Sequence, residues 1–294
     1  MTPADFDFLR DSLKQHSGLV LSADKQYLLE SRLLPVARKA GFERLSALIG
    51  ALKGDNAEAL MTAVVEAMTT NESFFFRDKM PFDNFRSTVL PALRALRGHS
   101  RAIRIWCAAA STGQEPYSLA MALTEMDRGL AGWRIEVIAT DISNAVLEKA
   151  RQGLYSQFEV QRGLPIQLLI KYFSQNGEMW QIAPEIRAMV KYRQLNLLSD
   201  FSDLGTFDLI FCRNVLIYFD HETKVDVLDR LAEVIADDGY LVLGAAETVV
   251  GLTDSFKVSP HSRGLYAPNP QRSKPRMAPG KRPKPRLVAV NAGR

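Results

Sequence analysis

The chain has 294 residues, 47% hydrophobic and 24% charged, with a mean hydropathy of −0.09. That composition excludes collagenous, fibrous and disordered classes, and no apolar run approaches the roughly 20 residues that cross a bilayer. The formal charge of +4 belongs to the end of the chain: Pro270–Arg294 carries eight basic residues and no acid, so +4 less eight leaves −4 for residues 1–269.

Residues 4–97 read as helices. Phe6, Phe8, Leu9 and Leu13 recur at helical spacing, and Ser22 is placed to cap a second helix running towards Gly41, with Pro35 expected to kink it. Two more helices are expected over 44–53 and 56–69, and another from Pro81 to Arg97. At Arg101 the pattern changes. RAIRIWCAAA, WRIEVIATD, FDLIFCRN and YLVLGAAET read as strands, and MVKYRQLNLL precedes the third of these. Helices alternate with them over QEPYSLAMALTEM, ISNAVLEKAR and HETKVDVLDRLAEVIADDG. This alternation predicts an α/β fold with a doubly wound, mostly parallel sheet. It breaks between Gly153 and Val190, where a small antiparallel insert carrying Trp180 is expected. The final segment, with five prolines among its basic residues, reads as a solvated disordered tail.

Ligands of open α/β sheets bind beyond the carboxyl ends of the strands. After the first strand comes Cys107-Ala-Ala-Ala-Ser-Thr-Gly113, then Glu115. These small residues admit a ligand close to the backbone, but a single glycine is poor for a pyrophosphate and suits an adenosyl group without phosphates. Asp141 ends the second strand. It can bond both hydroxyls of a ribose, or cap the next helix together with Ser143. Asn196-Leu197 and Arg213-Asn214 end later strands. Thr69-Thr-Asn-Glu-Ser-Phe-Phe-Phe-Arg77 is either a linker pinning the helices to the sheet or a loop aiming Asn71, Ser73 and Arg77 at the ligand. Cys107 and Cys212 read as buried thiols in a reducing compartment, with no disulfide. Histidines 16, 99, 221 and 261 stand alone, without metal-ligand spacing. The N-terminal MTPADFDFLRDSLKQ does not resemble a secretory leader, and a cytoplasmic protein is expected.

TTNESFFFR, AASTGQEPYSLA, ATDISNAVLEKAR, NLL and FCRNVLIYF, in this order and spacing, resemble the chemotaxis receptor methyltransferases of the CheR family. The resemblance spans about residues 4–267. It implies a helical N-terminal domain (1–78), a class I S-adenosylmethionine (SAM) methyltransferase domain (79–268) with a β-insert near 154–192, and the tail from 269. It also implies SAM as cofactor, without metal, and glutamate side chains of chemoreceptor cytoplasmic domains as substrate.

Carried over position by position, SAM contacts fall on Asn71, Ser73 (threonine is frequent there in relatives), Arg77, Glu115, Asp141, Asn196, Leu197, Arg213 and Asn214. Arg77 and Tyr218 fall beside the transferred methyl. Receptor docking falls on Arg32 and Arg38, with Arg10 and Lys39 completing a basic patch. SQNGEMWQIAP is shorter than the insert of relatives that bind a receptor's C-terminal pentapeptide, implying pentapeptide independence. A monomer is expected, without membrane insertion or nucleic acid. The acidic body and the missing Asn-Pro-Pro-aromatic motif argue against nucleic-acid methylation. The remaining alternative is a SAM-binding regulator of another sensory pathway without catalysis.

Overall fold

The computed structural model describes residues 1–55, 57–126, 129–259 and 264–271. Of the expected tail only 269–271 fall among them; the rest lies outside the described residues.

The first four helices are α1 (Pro3–Ser17), α2 (Gln26–Lys39), α3 (Leu45–Leu52) and α4 (Glu58–Met68). Thr2 and Asp5 form a reciprocal capping box that starts α1, and Gly18 ends it in the left-handed region at φ 76°. A Cβ on Gly18 would lie 2.8 Å from the Phe219 ring, so this turn needs glycine on both counts. Leu9, Leu13, Leu29, Leu33, Leu48 and Val64 are fully buried in the core of this bundle. Ser22 departs from expectation. It heads a short 3-10 turn (Ala23–Lys25) and its side chain caps nothing, while α2 runs on through Pro35.

The stretch from Pro81 is helical but interrupted: α5 (Met80–Asn84), one π-turn (Phe85–Val89) and α6 (Leu90–Leu96). Pro91 is the cause. It has no amide to donate, and its ring conflicts with the carbonyl four residues back, so the Leu90 amide bonds Phe85 O instead.

Beyond it come β1 (Ala102–Ala108), α7 (Gln114–Glu125), β2 (Arg134–Asp141) and α8 (Asn144–Gln152). The insert then supplies β3 (Leu154–Ser156), α9 (Gln157–Gln161), α10 (Ile166–Tyr172), β4 (Phe173–Asn176), β5 (Met179–Ile182) and α11 (Pro184–Ala188). Its strands pair antiparallel in the order β3-β5-β4, and the half-buried Trp180 donates to Gln157 Oε1 at 2.6 Å. The chain continues through β6 (Val190–Gln194), β7 (Phe207–Cys212), α12 (His221–Glu233), β8 (Ile235–Leu243), β9 (Phe256–Val258) and β10 (Leu265–Pro268). Because β6 joins the large sheet from Val190, the end expected for the insert at 192 falls inside that sheet.

The large sheet runs β6-β2-β1-β7-β8-β10-β9, with β10 alone antiparallel to its neighbours. The chain builds outward from β1 on one side, then returns to add β7 on the other. That reversal opens a crevice at the carboxyl ends of β1 and β7. Cys107 and Cys212 lie on these neighbouring strands, fully buried on opposite faces, and burial raises both thiols well above their ordinary pKa.

One element differs in extent from its sequence pattern. The helix expected to reach Gly239 stops at Glu233, and Ile235 already pairs with Phe207. Ala236–Gly239 look polar and helical, but the register slips between Phe207 and Leu209, and the looped-out residues carry Asp238 to an ion pair with Arg97.

Candidate active site

At the carboxyl ends of β1, β2 and β7, Asn71, Ser73, Arg77, Glu115, Asp141, Asn196, Leu197, Arg213, Asn214 and Tyr218 line a single cleft. The floor is built first. After β1 the backbone enters the left-handed region at Ala109, Ser111 and Gly113, folding the small residues under the cleft. Gly113 has no room for a Cβ, which would sit 2.7 Å from the Tyr192 hydroxyl.

The Ser111 amide donates to Asp141 Oδ2 at 2.8 Å and the Ser143 amide to Oδ1 at 3.0 Å. Asp141 therefore does brace the start of α8, whereas the Ser143 side chain makes no cap bond. Burial pushes the Asp141 pKa up while these amides pull it down, the burial being the larger effect. Each carboxylate oxygen keeps acceptor capacity for a ribose hydroxyl on the cleft side, so the cap and the ribose roles are compatible.

Arg213 emerges from β7 almost fully buried. Its guanidinium pairs with Glu115 at 2.8 Å and Asp78 at 2.6 Å and donates to Arg77 O at 3.1 Å. Its Nε is buried without a partner among the described residues. Burial raises the Glu115 pKa, with Arg213 working in the opposite direction.

The aromatic linker fills both roles open in the sequence. Phe75 and Phe76 enter the core, and the Phe76 amide donates to Ser118 Oγ at 2.9 Å. Phe74 stays near the surface between the guanidinium groups of Arg77 and Arg162, 5.5 and 4.3 Å from its ring centre. Asn71, Ser73 and Arg77 then face the cleft, Arg77 steadied by a 2.9 Å bond to Glu72 O.

Sequence reasoning missed the far wall. Ser17 and Leu19, at the end of α1, line the cleft too. Val20 N donates to Tyr218 O at 2.9 Å, and Asn196 Nδ2 donates to His16 O at 2.6 Å. Gly18, which the helix end required, was the one local signal. The docking residues are scattered in role. Arg32 is half-buried and donates to Met68 O and Thr69 O at 2.8 and 3.1 Å, while Arg10 is paired with Asp7 and Asp11. Arg38 and Lys39 are exposed.

Comparison with known proteins agrees with this geometry. Residues 4–69 match the all-alpha domain, and residues 71–265 the SAM binding domain, of CheR methyltransferase. The chain belongs to the CheR methyltransferase family. It is 41% identical to chemotaxis protein methyltransferase 1 of Pseudomonas aeruginosa over 89% of this chain and 96% of that one. With the protein of the same name from Vibrio cholerae the figures are 40%, 86% and 91%, and with the Salmonella typhimurium chemotaxis protein methyltransferase 34%, 88% and 88%.

A CheR methyltransferase is SAM-dependent, and the cleft suits that molecule. It offers a braced carboxylate for ribose hydroxyls, a small-residue floor, and a buried guanidinium paired to Glu115 and Asp78 at its edge. Among the described residues no group of His, Cys, Asp or Glu could hold a metal ion, and no helix is long and apolar enough to cross a membrane.

Proposed function

We propose that this chain methylates glutamate side chains on the cytoplasmic domains of chemoreceptors, giving glutamyl methyl esters. The observation that carries the reading is the convergence of Asp141, Arg213, Glu115 and Arg77 on one cleft that Tyr218 borders. The relatives' names, chemotaxis protein methyltransferases, support methyl transfer in chemotaxis.

When bound, SAM supplies an electrophilic methyl on a sulfonium. Asp141 would hold its ribose, and Glu115 with Arg213 its amino-acid end. A glutamate carboxyl group ordinarily titrates near about 4.3 and is ionised at neutral pH, so the acceptor needs no general base. Its oxygen bonds to the methyl carbon as the carbon–sulfur bond breaks, and the electron pair leaves on sulfur. Opposite charges cancel, so no oxyanion hole is required.

The protein's task is alignment and exclusion of water, for which effective molarity can supply roughly 7–11 kcal/mol. Arg77, on the cleft side of Phe74, would hold both oxygens of the acceptor in its fork. Tyr218 would orient the acceptor or the donor.

Docking is assigned to the basic end of α2, where Arg38 and Lys39 are exposed; Arg32 contributes only the part of its guanidinium not spent on the carbonyls after α4. The β4–β5 turn consists of Gly177-Glu178 alone, which favours recognition without the receptor's C-terminal pentapeptide. The reading is tested by incubating the protein with methyl-labelled SAM and receptor cytoplasmic fragments, with and without their C-terminal tail. Base-labile label on glutamate in both fragments is expected. Label on nucleic acid or none on glutamate overturns the reading, and dependence on the tail overturns pentapeptide independence.

A further inference from the structure

The loop that carries Asn214 and Tyr218 closes a short 3-10 turn of its own, the Tyr218 amide donating to Val215 O at 3.1 Å and the Phe219 amide to Leu216 O at 3.0 Å, but these bonds leave its start at β7 unheld. It leaves β7 with Asn214 in the left-handed region at φ 58°, a conformation that costs free energy for a side-chain-bearing residue. What holds that start is Glu247, in the loop after the neighbouring strand β8. The Glu247 carboxylate, 8% exposed, gathers backbone amides from both strand ends. Oε2 accepts from Gly244 at 2.7 Å and Asn214 at 2.8 Å; Oε1 accepts from Val215 at 2.9 Å and, more weakly, Ile217 at 3.4 Å.

The space is fitted to this carboxylate. A Cβ on Gly244 would lie 2.7 Å from Oε2 and 2.9 Å from Asn214 Nδ2. No cation is paired with Glu247 among the described residues, so its charge is balanced by amide dipoles alone, as an anion is held in a backbone nest. A group that served only to close the loop could be a neutral acceptor. A carboxylate bonding amides on two strand ends fixes their separation.

We propose that Glu247 is a positioning residue, whose buried carboxylate locks the loop after β7 so that Asn214 and Tyr218 face the cofactor cleft at a fixed distance from it. This rests on the methyltransfer reading above for the part played by Tyr218. It adds that the rate of the reaction is set partly by a residue that touches neither cofactor nor acceptor.

Glu247→Gln keeps the shape but turns an NH2 towards amide donors, so one half of the clasp opens. It is expected to fold, to lower kcat about tenfold or more at saturating SAM and receptor fragment, and to leave the receptor KM within about twofold. The decisive readout is a double-mutant cycle with Tyr218→Phe. Residues acting as one unit are non-additive, so the double variant should be no slower than the slower single one. A kcat within about twofold of wild type, or effects that multiply in full, overturns the proposal.

If Glu247→Gln does not fold, Glu247→Asp serves, since it keeps the charge but shortens the reach of the clasp by one methylene; the same kcat loss and the same cycle are required of it. Should the wild-type protein label no receptor glutamate, the methyltransfer reading fails separately. SAM affinity by calorimetry then decides for Glu247: a weakening of about fivefold or more supports the clasp on Asn214, and an unchanged affinity overturns it.

Discussion

The two ends of the large sheet use their charges differently. At the amino ends of the strands several charges close on one another in ion pairs. Asp208 bonds Arg97 Nε at 2.7 Å and the Arg104 amide at 2.8 Å, and Arg97 reaches on to Asp238. Arg104 and Lys191 share Glu136, each at 2.8 Å. At the carboxyl ends the charges are more deeply buried, and among the described residues two carboxylates there pair with no cation. Arg213 keeps an unpartnered Nε, Asp141 is braced by amides alone, and Glu247 by amides alone. The same strands thus end in paired charges below and, above, in carboxylates held by backbone amides around the cleft. That difference in how charge is held separates a binding end from a structural one.

Breaking the upper network should have the largest effect. Arg213→Ala leaves Glu115 buried without its cation, a loss of about 3–5 kcal/mol of folding stability for a broken buried pair, together with SAM binding. Urea unfolding with and without SAM measures both; a variant as stable as wild type would show that the pair is not structural.

Next come two substitutions that separate the ends. Asp141→Ala should weaken SAM binding by about 1.5–3 kcal/mol, the range for a hydrogen bond to a charged group, as read by calorimetry. Arg97→Ala should cost a similar amount of stability and leave SAM affinity unchanged within about twofold, because the sites are distant and share no partner. If Arg97→Ala weakened SAM binding as much as Asp141→Ala, the division between the ends would be wrong. Arg77→Ala is smaller in stability and specific in rate. Its side chain is half-exposed against Phe74, so the melting temperature should move little, while kcat falls at least roughly tenfold, ~1.4 kcal/mol.

The upper end was legible in the sequence where chemistry is local to a strand terminus. Asp141 after ATD, Arg213-Asn214 after FDLIFC and the small-residue turn after WCAAA each announced themselves, and the structure gathers them into one cleft. Glu247 did not. In GAAET it looks like a solvated loop acid, and its burial arises only when amides from a strand 30 residues earlier close around it. Ser17 and Leu19 offered only the helix stop at Gly18 between them, and a helix end gives no sign of the domain it will face. The helix end at Ala236–Gly239 belongs to the lower network: Asp238 suits a helix by pattern, but its ion pair with Arg97 lies in tertiary structure. Nor could spacing foretell that Arg32, in the basic patch on α2, spends part of its guanidinium on the carbonyls after α4.

The smallest effect expected concerns the wall rather than either end of the sheet. Lys14 on α1 pairs with Asp220 at 2.6 Å, joining the helical domain to the start of α12 beside the cleft. Lys14 first, then the Thr223 hydroxyl and amide, hold the Asp220 pKa down to about 2 from its ordinary 3.8. The folded protein therefore binds this proton less readily than the unfolded chain. Its stabilising contribution is fully present above the unfolded pKa and is lost as pH falls from about 4 towards 2. Lys14→Met should cost only about 0.2–1 kcal/mol at neutral pH, as surface pairs do, and less in high salt. The difference between variant and wild type should shrink as the pH drops through that window. The variant should still keep an acid limb of its own, because Thr223 donates its amide to Asp220 Oδ1 at 2.9 Å and keeps the pKa depressed. Urea unfolding at neutral pH and near pH 3 checks this. A gap that widens on acidification would mean that Lys14 steadies the wall through some contact other than Asp220.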